Sequence, residues 1–162
     1  MKLLVFSDSH SSLSFMRRCI AALKPDGIIH LGDHYDDGEA IREENPDLLF
    51  YQVSGNCDRY RCPPSAREML CLKIGGVMIY MTHGHNHHVK QGIGGLIKDA
   101  KLYEAKAALF GHTHAALCQQ IDDMWVLNPG SCGYYGGSAG VLEIKDGKIS
   151  VCRLITQTDI CE

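Results

Sequence analysis

The sequence predicts an α/β protein: a layered α/β/β/α sandwich of two mixed sheets flanked by helices. Three observations predict it. Short apolar runs alternate with helical stretches through the first half, and two-residue hairpin signals punctuate the second. Five of the apolar runs also end just before residue types that bind metal. The 162 residues suit one domain spanning 1–162, with a core of its own.

The first strand is Lys2-Leu-Leu-Val-Phe, followed by Asp8-Ser-His10. From Ser12, Phe15, Met16, Cys19, Ile20 and Leu23 recur at helical spacing until Pro25 ends the helix. Gly27-Ile-Ile-His-Leu is the second strand and runs into Gly32-Asp33, so a right-handed crossover is expected. His30 within it reads as a hydrogen-bonded core histidine. The acids Asp36, Asp37, Glu39, Glu43 and Glu44 read as a solvated helix start and face. A third run, 48–53, leads into Gly55-Asn56-Cys57-Asp58.

Gly75-Gly76 joins 67–74 to 77–81 as a hairpin, and the second arm leads into His83-Gly-His85. Residues 89–95 read as a glycine-rich rim, and 96–105 as a helix. Ala107-Ala-Leu-Phe-Gly then delivers His112-Thr-His114. Asn128-Pro-Gly-Ser131 is a turn signal, and Asp146-Gly147 marks a second hairpin between a run ending at Ile144 and one starting at Lys148.

Composition narrows the function. A formal charge of −3 provides no basic field for gripping nucleic acid, so no stable nucleic acid complex is expected. No apolar run approaches the roughly 20 residues of a membrane span, and Met1 to Ser7 is too short for a signal-peptide core. A soluble, cytoplasmic protein is expected. The eight cysteines form no Cys-x-x-Cys pair, and Cys19, Cys71, Cys118 and Cys152 read as small buried hydrophobes.

In an open α/β sheet, ligands gather beyond the carboxyl ends of the strands, so five polar strand tips would meet in one place. Side chains two apart on an extended segment point the same way, which lets Asp8 act with His10, and His112 with His114. Carboxylate and imidazole ligands without clustered thiolates suit Mn, Fe, Ni, Co or Zn.

The ordered motifs Asp8-Ser-His10, Gly32-Asp33, Gly55-Asn56-Cys57-Asp58, Thr82-His83-Gly84-His85 and Gly111-His112-Thr113-His114 closely resemble those of the calcineurin-like metallophosphoesterases. The resemblance is to their small bacterial and archaeal phosphodiesterase branch. It implies two divalent metal ions, manganese first, with nickel, iron, cobalt or zinc as alternatives. One would take Asp8, His10, Asp33 and His114, the other Asp33, Asn56, His83 and His112. Asp33 would bridge them, and a bridging hydroxide would attack the phosphorus.

Cys57 departs from the histidine of the wider superfamily. A thiol is a poor proton donor near neutrality and brings no positive charge, which favours small phosphodiesters over monoesters. His85 and Cys57 are therefore the catalytic candidates. Arg59, His34, His87 and His88 read as loop residues, while Asp58 reads as an orienting group or a turn cap. Small relatives often form homo-oligomers, so one is allowed here.

Two alternatives stand. His83-Gly-His85-Asn-His87-His88 nearly reproduces the ligand run of metallo-β-lactamase-like hydrolases, with His87 where aspartate belongs, but that leaves Asp8, His10, Asp33 and Asn56 unused. A noncatalytic trafficking scaffold of the same fold is the other, and the intact ligand set argues against it.

Overall fold

The computed structural model describes residues 1–134 and 136–160. One five-stranded sheet contains β1 (Lys2–Phe6), β2 (Gly27–His30), β3 (Leu49–Gln52), β9 (Ser138–Lys145) and β10 (Lys148–Thr156), in the order β10-β9-β1-β2-β3. The other contains β4 (Met69–Ile74), β5 (Val77–Thr82), β6 (Ala107–Leu109), β7 (Leu117–Ile121) and β8 (Met124–Asn128), in the order β4-β5-β6-β8-β7. Helices α1 (Ser14–Leu23), α2 (Tyr35–Glu44) and α3 (Gly94–Leu102) cover the outside.

Period-two patterning explains the layering. Leu3 and Val5 of β1 join Ile29, Ile79, Met81, Leu109 and Leu127 in a core between the sheets. Leu4 and Phe6 point the other way and pack with Phe15, Met16 and Cys19 of α1. Beyond the second sheet, Tyr80, Ala108 and Phe110 meet Leu96 and Ala100 of α3. Each fully buried aliphatic or aromatic side chain contributes roughly 1.5–3 kcal/mol of transfer free energy.

Both anticipated hairpins form, with Ile74 opposite Val77 and Lys145 opposite Lys148. The parallel pairing of β1, β2 and β3 also matches expectation. The later strands are not uniformly antiparallel, because β5, β6 and β8 pair in parallel. A third hairpin joins β7 to β8 through Asp122-Asp123. It lacks the usual glycine signal, and Asp122 takes the left-handed conformation itself, at φ 54°.

The helix bounds differ from the periodicity. Leu13 rather than Ser12 sits at the α1 N-cap. The third helix begins at Gly94 and ends at Leu102, not at 96 and 105. Glu104 at φ 55° turns the chain out of the helix, and Ala105 N–H closes on Ala100 C=O at 3.1 Å.

Cys19 is fully buried, whereas Cys71, Cys118 and Cys152 are only partly so and pack on the core margins. Cys118 lies on β7 and Cys152 on β10, edge strands of opposite sheets, and their Sγ atoms are 3.4 Å apart. The sandwich is open at that edge, which leaves both thiols half covered. No helix among the described residues is long and apolar enough to cross a membrane.

Candidate metal centre

The carboxyl ends of β1, β2, β5 and β6 deliver Asp8, Asp33, His83 and His112 to one end of the sandwich. Five expected ligands there take left-handed backbone: Asp8 (φ 54°), His10 (φ 45°), Asp33 (φ 57°), His112 (φ 67°) and His114 (φ 56°). Such conformations cost non-glycine residues on the order of 1 kcal/mol each, and their concentration at one place marks a functional turn cluster.

Two tight groups of ligand atoms result. Asp8, His10 and His114 form one, and Asp8, Asp33 and His83 the other, with all ligand atoms in each group within 4.8 Å of one another. His114 Nε2 lies 3.0 Å from Asp8 Oδ1, and His10 Nε2 lies 3.4 Å from His114 Nε2. His83 Nε2 is 3.4 Å from Asp33 Oδ2 and 4.0 Å from Asp8 Oδ1. Asp8 is the acid common to the two groups, whereas the resemblance gives the shared role to Asp33. His112 borders them, its ring 5.1 Å from that of His83, and Asn56 is exposed at the rim.

The surroundings hold this arrangement open for cations. His83 Nδ1–H donates to Leu31 C=O at 2.8 Å, which turns Nε2 into the site. That Nε2 and Asp8 Oδ1 are both buried and make no well-aligned hydrogen bond, their close polar neighbours being Asp33 Oδ2 and His114 Nε2. Two buried polar atoms 4.0 Å apart, whose close polar neighbours are themselves ligand-type atoms, suit a bound cation. Burial lowers the His83 pKa, but Asp33 and Asp8 outweigh it and the net shift is upward. Burial conversely raises the Asp33 carboxyl, yet His83 and the Cys57 donors hold it well below the usual carboxylate range.

Neighbouring groups fix the acids. Ser7 Oγ–H and His112 N–H donate to Asp8 Oδ2 at 2.6 and 3.1 Å, and Cys57 N–H donates to Asp33 Oδ1 at 2.9 Å. Asp58, fully buried, caps backbone donors and orients Asp33 at once, which unites the two roles expected of it. Asn128 Nδ2 donates to Gly111 C=O at 3.0 Å and to Thr113 Oγ1 at 2.9 Å, while Ser131 Oγ–H donates to Asp8 C=O at 2.7 Å. The Asn-Pro-Gly-Ser turn thus braces the ends of β1 and β6.

Several residues depart from their expected settings. His34 is no open loop residue: it sits at the α2 N-cap, with its ring 5.0 Å from that of His10 and Nδ1 3.1 Å from Ser11 Oγ. His87 is mostly covered, with Nε2 3.1 Å from both Tyr80 OH and Asp99 Oδ2. Asp37 is buried and accepts Ser11 N–H at 2.7 Å, so the acidic stretch is not solvated throughout. His88 and Arg59 are exposed, as expected. His30 is buried against Ser9 Oγ at 3.3 Å and accepts Gly32 N–H, and burial pushes its pKa down to about 4.

His85 flanks the cluster, its ring 5.6 Å from that of His83, and burial followed by the His83 charge lowers its pKa. Burial and then Asp33 push the Cys57 thiol up to about 11. Ser7 and Tyr134 were not anticipated. Ser7 is adjacent to Asp8 in sequence, but Tyr134 becomes a neighbour only through folding, with its ring 4.9 Å from that of His10.

Two facing sheets capped by a ring of acids and imidazoles define a metal-binding α/β protein of the phosphoesterase type. The chain belongs to the calcineurin-like phosphoesterase superfamily, whose domain model matches residues 1–147. It is 32% identical over 136 residues to a probable metallophosphoesterase of Mycoplasma pneumoniae, covering 80% of this chain and 78% of that one. It is 27% identical to a phosphodiesterase of Methanocaldococcus jannaschii, covering 88% and 93%. A solved Streptococcus pneumoniae TIGR4 protein described as a predicted phosphoesterase superposes with TM-score 0.77 at 25% identity, over 97% of this chain and 90% of that one. Vacuolar protein sorting 29 of Cryptosporidium parvum shares the fold alone, with TM-score 0.71 at 19% identity over 96% and 98%.

Proposed function

We propose that this protein is a phosphodiesterase dependent on two divalent cations. The observation that carries the proposal is the convergence of Asp8 Oδ1 and His83 Nε2, both buried, with ligand atoms of Asp33, His10 and His114 in two groups whose members lie within 4.8 Å of one another. Following the superfamily pattern, Asp8, His10, Asp33 and His114 hold one ion, and Asp33, Asn56, His83 and His112 the other. When bound, such ions supply an activated water near neutral pH and neutralise the phosphoryl oxygens, manganese being the first expectation. A cytoplasmic setting and self-association belong to the same proposal.

Phosphodiesters are favoured by what flanks the cradle. In the metal-free protein burial and Asp33 hold the Cys57 thiol up to about 11, uncharged near neutrality, and burial lowers the His85 pKa so that its imidazole is mainly neutral. Neither group supplies the positive charge that a dianionic monoester calls for, whereas a diester carries a single negative charge. Through the minor protonated fraction of its imidazole, His85 is the candidate proton donor to the leaving oxygen, with Cys57 an uncharged neighbour on that side.

The test combines elemental analysis with hydrolysis of matched aryl mono- and diesters. Metal uptake with diester turnover at least about tenfold above monoester is expected, and Asp33→Asn should remove both metal and turnover. A strong monoester preference would overturn the diester assignment. Metal uptake without hydrolysis of any aryl diester would favour the scaffold reading.

A further inference from the structure

Cys118 and Cys152 meet at one margin of the sandwich, away from the carboxylates and imidazoles of the cradle. Cys118 lies on β7, the edge strand of one sheet, and Cys152 on β10, the edge strand of the other. Their Sγ atoms are 3.4 Å apart, and Cys118 Sγ–H donates to Cys152 C=O at 3.4 Å. No backbone ladder joins these strands, because β7 pairs with β8 and β10 with β9. The two thiols thus link sheets that are separate at this edge. Both are partly exposed, so a small reagent can reach them.

Strand register holds the pair in place. Cys118 stands opposite Leu127 on β8 and Cys152 opposite Leu142 on β9, and both leucines are fully buried in the core between the sheets. A disulfide bond of about 2.05 Å would require the sulfurs to approach by only about 1.3 Å, a displacement within reach of side-chain rotation. The cysteines are 34 residues apart in the chain, so a cross-link would remove loop entropy from the unfolded state. Cys118 also adjoins Leu117, the strand partner of Asn128, whose amide holds Gly111 and Thr113. A bond at Cys118 fastens the strand that leaves the His112-Thr-His114 loop.

We propose that Cys118 and Cys152 form a redox modification site, which a low-molecular-weight disulfide oxidises to an inter-sheet disulfide that fastens the open edge. One cysteine attacks the outside disulfide, forms a mixed disulfide and releases one small thiol. Its neighbour attacks the protein-bound sulfur and expels the other. The two cysteines give up two electrons and two protons, which the reagent takes as it becomes two thiols. Burial, and then Cys118, raises the Cys152 thiol, which suits Cys152 to the second, intramolecular step. In a reducing compartment the pair stays as thiols, and the bond forms when the balance shifts towards disulfide. The inference goes beyond the diesterase reading and stands independently of it.

The test incubates the full-length protein with oxidised glutathione or with dithiothreitol, alkylates the remaining thiols, and reads both the peptide map and the thermal midpoint. A peptide joining Cys118 to Cys152 is expected after oxidised glutathione, with a midpoint about 3–10 °C above that of the dithiothreitol-treated protein. Cys118→Ala and Cys152→Ala should each erase that difference. The comparison is made within each variant, so whatever the substitution costs the fold cancels. If a variant fails to fold, the peptide map of the parent protein still decides the pairing. Thiols that stay free at both positions, a glutathione adduct on either that is never resolved, or either residue bonded to another cysteine or another chain would overturn the proposal. A bonded form whose midpoint is no higher would overturn it as well.

Discussion

Asp58 holds Asp33 from behind: its Oδ2 accepts the Asp33 N–H at 2.9 Å, although the two residues are 25 apart in sequence. The same carboxylate accepts Gly55 N–H at 2.7 Å and Tyr35 N–H at 2.8 Å. One buried side chain thus joins the tip of β2, the start of α2 and the loop that carries Asn56 and Cys57.

Asp58→Ala leaves three buried backbone donors unpaired and should cost about 3–5 kcal/mol of stability, measured by urea unfolding. In Asp58→Asn, which keeps one acceptor oxygen, manganese affinity should fall about 10–100-fold by calorimetry. Parent-like affinity in that variant would show that Asp33 needs no such support.

Gly55 and Gly111 are required by close approach. A Cβ at Gly55 would overlap Asp33 Oδ1, and one at Gly111 would overlap Ser7 Oγ and lie 2.8 Å from Asp8 Oδ2. Gly55→Ala and Gly111→Ala should each cost about 1–3 kcal/mol through overpacking. Each should also reduce bound metal in elemental analysis.

The metal should stabilise the fold. Adding manganese to chelator-treated protein at 100 times its Kd should raise stability by about 2.7 kcal/mol, read as a higher unfolding midpoint. In Asp33→Asn most of that gain should vanish. A midpoint indifferent to every divalent cation would contradict the proposed centre.

His30 should make the metal-free protein acid-sensitive. The unfolded chain takes up the proton near 6.5 and the folded chain only near 4, so between those values the unfolded state binds more protons. Stability attributable to His30 is then intact above about 6.5 and falls on acidification towards 4, by on the order of 3 kcal/mol. Urea unfolding at pH 7 and 5 should show the loss, and His30→Gln should flatten part of it. His112, whose pKa burial and then the His83 charge push down to about 4, contributes in the same direction.

Local chemistry in the sequence determined the strand tips, the helix α1 stripe, two of the hairpins and the ligand residue types. Alternation in Leu3, Leu4, Val5 and Phe6 sorts side chains to two faces, and Gly75-Gly76 meets the backbone demand of a tight turn, so these features need no distant partner. The Asp122-Asp123 turn was hidden because its left-handed residue is not a glycine. Only the tertiary structure decided that His34 faces His10, that Asp37 is buried, and that Tyr134 lies against His114. It also made Asp8 the acid common to both tight ligand groups. These relationships join segments far apart in the chain, and periodicity carries no information about which distant side chain fills the space opposite.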